Sequence, residues 1–261
     1  MDEFHDTIWG YYRTHARPMP WRDAPTFYNV LISELMLQQT QVSRVEPKFV
    51  AFTQRFPSMI ELAQAPLADV MSQWVGLGYN RRAKYLHEAS RLIVKNGQPR
   101  GVAELVALPG VGKNTAAAIM NYAYNSATPF VETNIRTVYI ESFFKGKVDI
   151  TDRQILDLVT TTIDYEHPRE WFWALMDYGA HLKASGLANT ASSHHYRRQT
   201  PLAGSVRQMR GWIVRALAGG ALSRARLTRQ FGDDARFTGA LSALQSEGLV
   251  TETNGTLHLT K

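Results

Sequence analysis

Residues 108–113, Leu-Pro-Gly-Val-Gly-Lys, lie between two helical runs, VAELVA before them and NTAAAIMNYA after. Glycines at i and i+2 permit a tight reversal, because Gly accepts φ > 0 and places no Cβ over the backbone. The N–H groups of such a turn stay open. They also begin a helix, where unpaired N–H groups and the helix dipole favour an anion. Lys113 adds a full positive charge. Two helices joined this way grip a nucleic-acid strand by its phosphates without reading its bases. Glu132 stands twenty residues beyond Gly112, which suggests chemistry on the strand so held.

The rest of the chain conforms to a helical frame. Apolar spacing predicts helices over 3–16, 27–54, 59–64, 67–74, 80–96, 102–107, 113–125, 132–144, 152–164 and 168–183, with Pro or Gly in the intervals. No alternating strand pattern is convincing before residue 248. Residues 1–184 therefore read as one all-helical domain and 185–204, polar and basic, as a linker. Over 205–261, helices are expected at 205–218, 222–231 and 234–246. Two alternating segments then flank Asn254-Gly255, a type I′ hairpin signal. Three helices and a hairpin make a small winged-helix-like domain. The fold class is mainly α.

Charge is unevenly placed. The net charge is +6, yet the 55 residues from Tyr178 to Gly232 hold no Asp or Glu, one Lys and eight Arg, for a local charge of +9. Such a segment suits a polyanion. The alternative is a solvated surface. No run approaches the ~18 uncharged apolar residues of a membrane span, and the acidic, amphipathic N-terminus does not read as a signal sequence. The absence of cysteine excludes disulfides and thiolate-held metals or iron–sulfur clusters, so the cytoplasm is expected.

Two carboxylates stand out. Glu34 lies among Leu31, Leu35, Met36 and Leu37. Burial there would keep it partly protonated and able to donate to a leaving group. The plainer alternative is an edge Glu facing water. Glu132 falls at a helix start, where an ionised carboxylate is stabilised; the plainer alternative is ordinary helix-start preference, with Thr133 as a local cap. Together they suggest an acid and a charge-stabilising base.

The segments SELMLQQTQV, GLGYN, LPGVGKNTAAAI, ETNIRTV and MDYGA stand in the order and approximate spacing of the helix-hairpin-helix DNA glycosylases. Residues 4–183 resemble the MutY-type adenine glycosylases and the related mismatch thymine glycosylases most. The resemblance implies a two-lobed helical fold, an active site between the lobes and a nucleotide flipped out of the duplex. It makes Glu34 the acid and Glu132 the counterpart of an essential Asp, with Asn134 supporting the acid. Gln39 and Tyr79 match residues that wedge into the base stack, and Gln38 a neighbouring DNA contact. Gly110, Gly112 and Lys113 match the phosphate grip, and Arg136 a basic position near the DNA backbone. Arg17, Trp21 and Leu37 match residues lining the base pocket.

Five departures from that pattern shape the expectations. Glu132 is one C–C bond longer than Asp, about 1.5 Å, so its carboxylate must fold back or the sugar must sit differently. Asn114 fills the slot where bifunctional relatives carry a nucleophilic Lys, so lyase chemistry is not expected. The four-cysteine iron–sulfur loop is missing; His181, His194 and His195 lack nearby carboxylates, and no metal or cofactor is expected. Lys183, Arg197 and Arg198 are expected to bind phosphate there instead. Trp173 replaces a polar reader of the base edge in the pocket, which leaves thymine or uracil as alternatives to adenine. The winged helix, with Arg224, Arg226 and Arg229 near its second helix, stands in place of a domain recognising oxidised guanine and is expected to dock DNA. The partner implied is double-stranded DNA with a mismatch or lesion, bound by a monomer at the nucleoid. A non-catalytic binder of distorted DNA is the competing class.

Overall fold

Fifteen helices and three short strands account for most of residues 2–187 and 201–260, the part that a computed structural model describes. They gather into two units, each drawn from several chain segments. Among the described residues no helix is long and apolar enough to cross a membrane.

The first unit takes residues 2–30, 101–106 and 111–187. It holds α1 (Asp2–His15), α2 (Pro20–Asp23), α8 (Val102–Val106), α9 (Lys113–Tyr122), α10 (Thr133–Phe143), α11 (Asp152–Thr162) and α12 (Pro168–Ala184). α12 is the centre, packed against α1, α9 and α10. The run Trp171, Phe172, Trp173, Ala174, Leu175 leaves no polar face there, and all five are buried. α10 lies very near α12 at Gly179. A Cβ at that residue would overlap the Asn134 carbonyl oxygen and lie 2.8 Å from its carbonyl carbon and its Cβ. α11 starts on a capping box, Thr151 with Gln154. The buried Tyr139 hydroxyl meets Thr162 Oγ1 at 2.5 Å, and burial pushes that phenol up, so it stays neutral.

The second unit takes residues 31–100, 107–110 and 201–260. It contains most of α3 (Phe27–Leu37), then α4 (Val42–Arg55), α5 (Met59–Gln64), α6 (Leu67–Trp74) and α7 (Arg81–Asn96). The single helix expected over 27–54 is thus two. The chain turns at 38–41, where Gln39 has φ 55°. No Gly or Pro marks this break, because Gln is a good helix former and the turn is held by tertiary bonds.

The C-terminal part adds α13 (Val206–Ala218), β1 (Leu222–Ser223), α14 (Arg224–Phe231), α15 (Phe237–Ser246), β2 (Val250–Thr253) and β3 (Thr256–Leu259). The sheet order is β1-β3-β2, all antiparallel, with Thr253 opposite Thr256. Asn254 (φ 50°) and Gly255 (φ 72°) supply the two left-handed residues of the expected turn. This is the winged-helix order, with a two-residue β1 that the sequence does not signal. α13 packs on α15 and β3, and also on α6.

Glu247, just after α15, fastens this packing. Its carboxylate binds Arg210 at 2.5 Å and Arg81, the first residue of α7, at 2.6 Å. These guanidinium groups, Arg210 first, hold its pKa down to about 2. A depressed carboxylate contributes stability above its unfolded pKa and loses it as pH falls through the folded value. Thermal melts from pH 7 to pH 2 should show the wild type losing more stability than Glu247→Gln between about 4.5 and 2. Parallel curves for the two proteins would remove Glu247 as the fastening.

Candidate functional site

In the second unit, Glu34 sits half-buried in α3 between the fully buried Leu31, Leu35 and Met36; Leu37 is half-buried. Gln38 donates from Nε2 to the Gly110 carbonyl at 3.1 Å, which ties the end of α3 to the hairpin turn. Gly110 has φ +79°, and a Cβ there would lie 2.9 Å from Tyr85 Cβ and 3.3 Å from Leu35 Cδ2. Two independent constraints, backbone and space, therefore require Gly at this point. Beyond the turn, α9 begins after Gly112 with no side-chain cap, and Lys113 is exposed at its first position. The first N–H groups of a helix lack intrahelical acceptors. The start of α9 therefore leaves backbone N–H groups without a side-chain acceptor.

Gln39 (φ 55°) and Tyr79 (φ 47°), from the α3–α4 and α6–α7 turns, both adopt the left-handed region. Non-glycine residues there cost free energy and persist where the surroundings impose them. The imposing group is Arg82, which the sequence reading missed. Its guanidinium donates to the carbonyls of Leu35 (2.6 Å) and Met36 (2.8 Å) at the end of α3. It also reaches Thr40 Oγ1 (3.0 Å), Leu77 O (3.3 Å) and Gly78 O (3.0 Å). One buried side chain thus fixes both turns. Burial lowers its pKa to about 10, which leaves it charged at neutral pH. A signal existed: Arg82 lies on the buried face of α7 in line with Leu86, Ala89 and Ile93.

In the first unit, Glu132 is the N-cap of α10. Its Oε1 accepts from the N–H groups of Asn134 (2.5 Å) and Ile135 (3.0 Å). The cap is Glu132 itself and not Thr133. The carboxylate folds back on the helix end, which takes up the extra methylene. Asn134 Oδ1 accepts from Lys183 Nζ at 2.7 Å, and Lys183 is half-buried. Burial pushes the Lys183 ammonium down, against an opposing pull from Glu132. Lys183 thus reaches the α10 N-terminus through Asn134. Asn114 donates from Nδ2 to Val131 O at 2.6 Å, which anchors the segment that carries Glu132.

The other residues in this unit make structural contacts. Arg17 donates from Nε to Asp177 at 2.7 Å, and Arg22 binds both oxygens of the same carboxylate (2.8 and 2.9 Å). Asp177 is fully buried as a side chain. Removing one partner of such a buried pair typically costs about 3–5 kcal/mol. Trp21 is buried nearby in sequence on α2. Trp173 stacks on Tyr122 with centroids 6.0 Å apart, and Arg22 lies 5.1 Å over its ring. Arg136 is held by Asp152 through two bonds of 2.7 and 2.8 Å. Arg22 and Asp177 were not picked out in the sequence, although an Asp inside WFWALMDYG is itself conspicuous. Arg197, Arg198, His194 and His195 lie outside the described residues. Among the described residues, no three His, Cys, Asp or Glu gather as a metal would need.

Residues 32–159, which include Glu34, the hairpin and Glu132, match the HhH-GPD superfamily of base excision DNA repair proteins. The chain is 34% identical over 267 residues to an adenine DNA glycosylase of Mycolicibacterium smegmatis, covering 92% of this chain and 90% of that one. It is 35% identical over 185 residues to an adenine DNA glycosylase of Buchnera aphidicola subsp. Baizongia pistaciae, where it spans 68% of its own length and 52% of the relative's. A solved thermostable thymine-DNA glycosylase superposes with a TM-score of 0.62 and 26% identity, over 69% of this chain and 85% of that one.

Proposed function

The chain belongs to the HhH-GPD superfamily of base excision DNA repair proteins as a MutY-like DNA glycosylase, and from that premise we propose that it removes adenine standing opposite guanine or 8-oxoguanine. The observation that carries this reading is the likeness to the M. smegmatis adenine DNA glycosylase along nine-tenths of both chains. Glu34 gives a proton to the flipped base. The glycosidic bond then breaks with its electron pair on the base nitrogen, and water adds to C1′ of the sugar. Glu132 offsets the positive charge that develops on the sugar. Gln39 and Tyr79 fill the stack at the mismatch, while the hairpin at Gly110, Gly112 and Lys113 holds the phosphates. Asn114 offers no amine for a Schiff base, so strand cleavage does not accompany base release. The protein acts as a monomer at the nucleoid.

A second reading, excision of thymine or uracil from a mismatch, is favoured by Trp173, which is packed between Tyr122 and Arg22 and presents no amide or carboxylate to a base edge. Duplexes carrying A·8-oxoguanine, A·G, T·G, U·G or A·T distinguish the two. Wild type and Glu132→Asp should yield alkali-labile sites from the first two only, with no break before alkali. Glu132→Asp should be at least as fast as wild type. Release confined to T·G and U·G would select the second reading, and release from none would leave a DNA-binding protein.

A further inference from the structure

The winged helix carries an unusual distribution of charge for a groove reader. α15, its third helix, holds no charged residue from Phe237 to Ser246, and neither does the turn Thr253–Thr256. Third helix and wing are the surfaces such a module ordinarily offers to DNA. Three of its arginines face acids of the same module: Arg210 binds Glu247, Arg224 binds Glu252 and Arg236 binds Asp234.

Its first helix turns instead to the α6–α7 turn. Arg207, in the first turn of α13, donates from Nη1 to the Tyr79 hydroxyl, and its guanidinium carbon lies 5.1 Å from the centroid of the Tyr79 ring. The Arg82 guanidinium stands 5.5 Å from the same centroid. Both contacts suit a cation beside an aromatic face. The attachment continues into α7: Arg81 binds the Glu247 carboxylate, and Lys84 Nζ donates to the Glu247 carbonyl at 2.8 Å. Arg81 and Lys84 follow Tyr79 by two and five residues. The module therefore braces the left-handed turn from its ring to the first turn of the next helix.

We propose that Arg207 is a positioning residue for Tyr79 and that the C-terminal winged helix serves as a brace that sets how this ring enters mismatched DNA. The inference rests on the reading of Tyr79 as the wedge. It makes mismatch discrimination, rather than bond cleavage or general DNA affinity, the property that Arg207 controls.

The test uses the full chain and duplexes with 2-aminopurine beside an A·8-oxoguanine pair or a matched A·T pair. Five variants are compared with wild type: Arg207→Met, Tyr79→Phe, the double variant of these two, Tyr79→Ala and the exposed Arg215→Met. Loss of a charge-assisted hydrogen bond changes an affinity ratio by roughly tenfold or more. Arg207→Met and Tyr79→Phe should each lower the ratio of mismatched to matched binding about tenfold and reduce the 2-aminopurine signal. Their double variant should do no worse than either alone. Arg215→Met should keep the wild-type ratio.

Tyr79→Ala with wild-type discrimination would overturn the wedge reading and the brace with it. Tyr79→Ala impaired beside a normal Arg207→Met would overturn the brace alone. Equal loss of matched and mismatched binding in Arg207→Met, with the salt slope reduced by about one, would make Arg207 a phosphate contact and also overturn it. Should Arg207→Met fail to fold, Tyr79→Phe carries the same decision, since it deletes the hydroxyl and keeps the ring.

Discussion

Glu34→Gln is expected to abolish base release while DNA binding persists. The amide has the size and polarity of the acid but gives up no proton at neutral pH. General acid catalysis typically contributes about 10²–10⁴-fold, and single-turnover rates should fall by that much. Glu34 is half-buried beside Leu31, Leu35 and Met36, so the replacement keeps the packing of α3. Alkali-labile sites measured on A·8-oxoguanine duplex, beside gel-shift affinity on the same DNA, check both halves. A rate within threefold of wild type would remove Glu34 as the proton donor. The same rate loss accompanied by equal loss of affinity would place it in binding instead.

Gly179→Ala is expected to be the most damaging single-methyl change in the first unit. Ala improves the intrinsic helix propensity of α12 by about 1 kcal/mol. Against this, the new Cβ overlaps the Asn134 carbonyl oxygen and stands 2.8 Å from two further Asn134 atoms. Backbone cannot swing aside as a side chain does, so α10 and α12 must separate along their contact. Overpacking of this kind costs about 1–3 kcal/mol and at times more, and a rigid carbonyl puts it at the upper end. A net loss of about 2 kcal/mol is expected. The damage reaches the chemistry, because Asn134 donates to Glu132 and accepts from Lys183. Denaturant melts should show the loss of stability, and activity per folded molecule should fall with it. An unchanged midpoint with full activity would mean that the two helices yield freely here.

The readings that survived contact with the structure were those that depend on neighbours in sequence. Gly110 between two helical runs specified the turn there, and Asn254-Gly255 specified the turn between β2 and β3, since φ > 0 is a property of single residues. Glu132 was legible as a helix start because the preference for a carboxylate there is likewise local. The break at Gln39 was invisible, because Gln has high helix propensity and the turn is held by partners remote in sequence, among them Arg82, 43 positions away. Pairing within the basic segment was invisible for a related reason. Arg210 and Arg224 meet Glu247 and Glu252, acids that lie beyond the acid-free stretch.

The sequence by itself determined that this chain is helical, that a glycine turn joins two of its helices and that its motifs run in the order of the helix-hairpin-helix glycosylases. Local geometry and motif order carry that much. Tertiary structure alone decided that the longer arm of Glu132 folds onto the α10 N-terminus, that Arg82 holds two strained turns at once and that the winged helix reaches Tyr79 through Arg207. Each of these depends on hydrogen bonds and buried charges whose partners are remote in sequence. Only packing brings such groups within 3 Å of each other, and no spacing along the chain records it.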